Sequence, residues 1–164
     1  MIYRPGLVAS HSASGDFASD WLARLLCQCA AMKIRPDFKA CQTDITPVDY
    51  VSKSIVDLSF ESNNKRIYHL ANQKHILVNE LFEMFKLFSG CDWRVVPFSE
   101  WQEELKKGEH DFLGELQPLF TSLSFEDLET LLYPANKFEF VCSNFSCPDI
   151  SMDLLRPFFA RLKF

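Results

Sequence analysis

Tyr50 and Lys53 stand three residues apart. A tyrosine with a lysine one helical turn away can serve as a general acid, because the ammonium lowers the phenol's pKa. A spacing of four stacks such a pair best on one helix face, although residues three apart are also neighbours. The run Thr46-Pro47-Val48-Asp49-Tyr50-Val51 is better explained as a helix start, so a structural Tyr50 is expected. Six cysteines, at 27, 29, 41, 91, 142 and 147, are the other reactive group. Cys142 and Cys147 are close enough in sequence to meet, but no Cys-x-x-Cys or nearby His pair completes a metal pattern. Reduced, partly buried thiols and no metal site are therefore expected. Gly-x-Gly-x-x-Gly, Gly-x-Ser-x-Gly, Walker, HExxH and EF-hand patterns are all absent from the 164 residues. No catalytic residue can be assigned within them.

Composition narrows the function further. Hydrophobic residues make up 48%, with 16 Phe, enough apolar surface for a packed core. The five Gly are few for a free-standing nucleotide-binding domain. A formal charge of -5 gives no general attraction to nucleic acid or anionic lipid. No apolar run reaches the roughly 20 residues that span a bilayer, and the start carries no targeting pattern. Neither a nucleic-acid nor a membrane partner is expected, and a cytoplasmic setting is the default.

The elements that would position any site follow from periodicity. Residues 2–4 and 7–9 flank Pro5-Gly6 as a buried strand entering a turn, and a chain opening on such a strand suggests sheet neighbours upstream of residue 1. Apolar residues every three to four positions predict a helix over 17–32, with Ser14 and Asp16 as candidate caps, ended by Arg35-Pro36-Asp37. Thr46 is expected to cap a second helix with Pro47 at its first position, and Val48, Val51, Ile55 and Leu58 on one face. A turn at 62–64, a strand at 66–71, a helix at 77–88 and a strand at 93–97 follow. Short helices come next, with capping boxes expected at Ser99/Gln102 and Ser124/Asp127. A last helix follows Ser151, with Pro157 expected to kink or split it. The alternation predicts an α/β architecture.

Several of these stretches arrive in a recognisable order: Tyr3-Arg4-Pro5-Gly6, Ser14-Gly15-Asp16 with Asp20, Thr46 to Val51, Tyr68-His69-Leu70-Ala71-Asn72, and Trp101 with Leu105. The tail adds Phe140 to Asn144, Cys147-Pro148-Asp149-Ile150 and Leu154-Leu155. The series resembles the back half of thioester reductase domains of the extended short-chain dehydrogenase/reductase family. Such domains end nonribosomal peptide synthetases, polyketide synthases and carboxylic acid reductases. Fatty acyl-CoA reductases share the early part.

The resemblance implies the C-terminal strands and helices of an extended Rossmann-type reductase, over residues 1–97, and a mostly helical substrate-binding subdomain over 98–164. It implies an NADPH-dependent reduction of a carrier-bound acyl or peptidyl thioester to aldehyde or alcohol. The partners would be an acyl or peptidyl carrier protein with its phosphopantetheine thioester, and the N-terminal Rossmann half of the same enzyme. In the family the Gly-rich turn and the Thr-Tyr-Lys set precede the Arg-Pro-Gly segment, here at residue 4. The chain alone is therefore expected to bind no NADPH and to be inactive. By the same resemblance Pro5, Gly6 and Leu7 line the nicotinamide side of the cofactor site, and His11, Ser12 and Asp20 the mouth of the substrate channel. A plain turn at Pro5-Gly6 and a solvated loop at 11–20 remain the structural alternatives. The rival functions are a non-catalytic acyl or carrier-binding module, and part of a fatty acyl-CoA reductase or sugar-epimerase relative. A sheet completed from elsewhere would leave apolar surface exposed along residues 1–9 and on the Val48–Leu58 face.

Overall fold

The computed structural model describes residues 1–17, 20–60, 67–108, 110–132 and 145–164. The expected turn at 62–64, the Phe140–Asn144 segment and Cys142 lie outside these residues. The chain divides into two compact units. The first comprises 1–17, 42–76 and 134–160; the second comprises 18–41, 77–133 and 161–164.

The first unit is built on short parallel strand pairs. Strand β1 (Ile2–Pro5) runs parallel to β6 (Ile67–Leu70), with Tyr3 opposite Tyr68 and Pro5 opposite Leu70. Side chains alternate across a strand, so Tyr68 and Leu70 go inward while Ile67 stays exposed. The Tyr3 and Tyr68 rings stack at 5.5 Å. Strand β2 (Val8–Ala9) pairs in parallel with β5 (Thr46–Pro47). The second helix begins only at Val48: Thr46 and Pro47 belong to a strand, and Thr46 does not act as the expected cap. Its backbone N–H donates to Leu7 O instead. Helix α2 (Val48–Phe60) buries Val51 and Leu58 against Tyr68 and Leu70, with Tyr3, Val8, Tyr50 and Ile55 around them. The expected exposed face of this helix is thus only partly open. Val48 and Val56 are exposed, as are Met1 and Ile2, but Val51 and Leu58 are covered within the unit.

Two strands of three residues escape periodicity: β4 (Gln42–Asp44) and β7 (His75–Leu77), which pair with each other. Helix α7 (Met152–Phe159) is capped by Ser151, whose Oγ accepts from Leu154 N. It runs through Pro157 without splitting, so that one of the two expected outcomes, a kink or a split, does not occur. Pro157 is the sixth of eight helical residues and lacks an N–H to donate to Asp153 O, but only two helical residues follow it, so little helix remains to be disrupted.

In the second unit, helix α1 (Trp21–Met32) is capped by Asp20, whose Oδ1 accepts from Ala23 N at 2.7 Å. Ser14 and Asp16 do not cap it. They form a separate turn in which Gly15 N donates to His11 O and His11 N to Asp16 O. Lys33 closes α1 in the left-handed conformation, and β3 (Ile34–Pro36) follows. The segment read as a terminator is therefore a strand, parallel to β8 (Arg94–Val96). Helix α3 (Val78–Ser89) buries Val78, Leu81, Phe82 and Phe85, and the two Phe rings pack on Trp93. Helix α4 (Phe98–Lys106) starts after Pro97 with no side-chain cap. Gln102 is drawn away from the expected capping box, donating to Phe120 O and Leu123 O. Helix α5 (Gln117–Ser122) leads to α6 (Phe125–Leu132), whose Ser124/Asp127 capping box forms as expected, each side chain bonding the other's backbone N–H. No helix among the described residues is long and apolar enough to cross a membrane.

Candidate functional site

The polar residues of the first unit gather behind the Pro5-Gly6-Leu7 turn. Gly6 N donates to Leu70 O at 3.0 Å, which continues the β1–β6 ladder by one residue. Leu7 N then turns inward and donates to Asp44 Oδ2 at 3.1 Å. Asp44 is buried, and the Thr46 hydroxyl donates to the same oxygen at 3.3 Å. Thr46 Oγ1 in turn accepts from Asn72 N at 2.9 Å. The Asn72 side chain, 2% exposed, donates to Ile45 O and Pro148 O and accepts from Lys74 N. A buried carboxylate, hydroxyl and amide therefore tie β1, β4, β5, the strand end at Leu70 and the 147–149 segment together. Each buried polar group is satisfied by another member or by backbone, as its desolvation demands.

Gly6 has a specific reason to be glycine. A Cβ built on it would collide with the Asp44 carboxylate and stand 2.8 Å from Ala71 Cβ. The close approach that this turn permits is made by Asp44. Pro5 and Leu7 flank it, so the three residues read as cofactor-lining form one continuous turn with its inner side occupied by protein.

His11 and Ser12 stand together in this unit. Ser12 donates to Asp49 through its backbone N (2.8 Å) and its hydroxyl (2.9 Å). Burial alone would raise the Asp49 carboxyl, but the two Ser12 bonds, with smaller help from the nearby His11, leave it below the ordinary range. His11 Nδ1 accepts the backbone N–H groups of Ala13 and Ser14, which places the neutral ring's proton on Nε2. Asp20 belongs to the second unit, where it caps α1. Burial raises its pKa against the bonds from Ala23 and Leu22.

Cys147 is close enough to feel the charges of Asp44 and Asp49, and burial pushes its thiol up to about 12, with Asp44, Asp49 and Asp149 adding to the shift. A thiol so far from its thiolate is a poor nucleophile. Tyr50 packs at the edge of the α2 core, and Lys53 pairs with Asp49 at 3.8 Å. Among the described residues no group of His, Cys, Asp or Glu could hold a metal ion. Sequence reading missed Asp44 altogether and met Asn72 only as the end of the stretch from Tyr68 to Asn72, with no role of its own. An acidic residue between Thr43 and Ile45, in a stretch too short for a repeat, carries no periodic mark of burial.

The family model NAD_binding_4, described as male sterility protein, matches residues 1–55. Aldehyde reductase lnaA of Aspergillus flavus is 26% identical over 137 residues, covering 78% of this chain and 13% of that protein. Nonribosomal peptide synthetase cpsA of Aspergillus campestris is 29% identical over 134 residues, covering 77% of this chain and 13% of its own length. Among solved structures, the terminal R domain from the myxalamid PKS-NRPS biosynthetic pathway superposes with a TM-score of 0.80 at 30% identity. It covers 98% of this chain and 43% of that one. The chain thus spans under half of that domain and a small share of the longer proteins.

Proposed function

We propose that this chain belongs with the thioester reductase domains of the extended short-chain dehydrogenase/reductase family and supplies the C-terminal part of an NADPH-dependent thioester reductase. The whole enzyme would reduce a carrier-bound acyl or peptidyl thioester to an aldehyde or alcohol. The observation that carries the reading is the likeness to one reductase domain along 98% of the chain, at 30% identity and a TM-score of 0.80. It agrees with the parallel strand pairs and with the ordered series of motifs from Arg4-Pro5-Gly6 to Cys147-Pro148-Asp149.

In this reading the Pro5-Gly6-Leu7 turn forms one wall beside the nicotinamide. The cofactor, when bound, supplies the hydride. The residues present fit a wall better than a cradle: the Asp44 carboxylate holds Leu7 N from the protein side. No Gly-rich pyrophosphate turn and no Thr-Tyr-Lys set occurs in the 164 residues. These residues shape and dry the site rather than protonate the carbonyl. Ser12, fixed by Asp49, and the adjacent His11 are the residues proposed to meet the phosphopantetheine arm.

A carrier titration tests this. The amides of His11 and Ser12 should shift when isotope-labelled chain meets an acyl carrier protein bearing a phosphopantetheine thioester. They should shift less with the carrier lacking the arm. Identical spectra with and without carrier would contradict the assignment.

A further inference from the structure

We infer that a cleft in the second unit, at the carboxyl ends of β3 and β8, binds a small apolar zwitterion, an α-amino acid with an aromatic or branched side chain. The two strands are parallel neighbours ending at Pro36 and Val96. In open α/β sheets the crevice beyond the carboxyl ends of such strands is where ligands bind. Here that crevice encloses about 510 Å³ between the 37–39 loop, the 95–99 segment and Phe125. This lies within the few hundred to roughly 1,000 Å³ of small-molecule sites. Val96, Phe98 and Phe125 give it an apolar lining.

The rim is charged and rigid. Every donor and acceptor of the Asn79 amide is used. Its Oδ1 accepts from Arg35 Nη1 (2.7 Å) and Phe38 N (3.2 Å), and its Nδ2 donates to Asp37 Oδ1 (2.9 Å) and Lys39 O (3.3 Å). Lys39 is held at φ 50°, unfavourable for a residue with a side chain, and its N–H donates to Asp37 Oδ1 at 2.9 Å. Asp37 Oδ2 has no partner among the described residues. The Lys39 ammonium lies 4.3 Å from the centre of the Phe125 ring, with no carboxylate in ion-pair reach among the described residues. Two opposite charges, two residues apart and not joined in an ion pair among the described residues, therefore line one apolar cleft. A simple anion would meet Asp37 and a simple cation would meet Lys39. A molecule carrying both charges on one carbon, with an apolar side chain, satisfies all three features.

This inference stands apart from the reductase reading, because no residue of the Gly6–Asp44 cluster enters it. The test uses the whole 164-residue chain and three probes: phenylalanine, phenylalaninamide without the carboxylate, and phenylpropionate without the amine. Phenylalanine should shift the amides of Lys39, Val96 and Phe98 and bind at least about tenfold tighter than either relative, a step equal to one decade in Kd. Lys39→Gln should abolish the preference over phenylalaninamide. Asp37→Asn, which keeps the Oδ1 acceptor, should abolish the preference over phenylpropionate. Absence of shifts at these amides, equal affinity for the three probes, or preferences unchanged in the variants would overturn the proposal. The comparison of probes on the unmodified chain decides it even where a variant fails to fold.

Discussion

At Gly6 the turn and the buried carboxylate compete for one volume. Gly6→Ala should destabilise the chain by about 1–3 kcal/mol, the usual cost of forcing an extra carbon into a packed site. Because the collision is with Asp44, Asp44→Ala should relieve part of it, and urea unfolding of the double variant should show coupling of roughly 0.5 kcal/mol or more. Strict additivity would mean that the backbone, not Asp44, limits the position. Asn72→Ala leaves two carbonyls and the Lys74 N–H without a protein partner, so a loss of about 2 kcal/mol is expected in the same measurement. Asp49 adds a pH signature. Its folded pKa lies below the unfolded value, so its contribution is present above about pH 4 and disappears as pH falls through the folded pKa. Ser12→Ala removes one of the bonds responsible and should shrink that acid-side loss; an unchanged pH profile of stability would contradict it.

At the scale of elements, α7 is anchored where Gly15 meets it. Gly15 has φ 69°, and a Cβ there would collide with the Pro157 carbonyl, which is backbone and cannot swing away. Gly15→Ala should therefore cost more than Gly6→Ala, and should disturb the edge-to-face contact of Phe17 and Phe158, now 5.0 Å between ring centres. Aromatic proton shifts of Phe158 report it; native shifts in the variant would refute the anchor. The long amphipathic elements were legible in the sequence, because α1, α2 and α3 carry apolar stripes at helical spacing. Strands β1, β6 and β8 were legible as short apolar runs between turn signals. The sequence did not disclose β4, where Gln42, Thr43 and Asp44 offer no apolar alternation, nor β3, where a buried Arg35 imitates a polar loop. Arg35 is paid for tertiarily, by Glu83, Asn79 and the Phe82 ring, none of them near it in sequence. Helix starts misled for the same reason. Thr46 and Gln102 have good capping chemistry, but distant partners, Asn72 and the 120–123 carbonyls, claim their side chains.

For the whole molecule, the ordered motifs made the family legible, whereas the geometry of the site depended on long-range bonds that no spacing encodes. The Pro5-Gly6-Leu7 turn was visible as a motif, but Asp44 behind it was not. Among the described residues, Cys27, Cys29 and Cys41 are buried free thiols, and Cys91 and Cys147 are half-buried. Cys27, raised to about 11, and Cys147, raised to about 12, are held from ionising chiefly by burial. Alkylation of both at neutral pH should be far slower in the folded chain than in urea, and equal rates would contradict it. The central claim is that these residues build the wall of a reductase site and hold neither its hydride donor nor its acid. The direct measurement is NADPH oxidation with an acyl-phosphopantetheine thioester. The 164-residue chain alone should give none above the protein-free control. Joined to the N-terminal part of a thioester reductase that carries the Gly-rich turn and the Thr-Tyr-Lys set, it should turn over. Oxidation by the 164 residues alone would contradict the account.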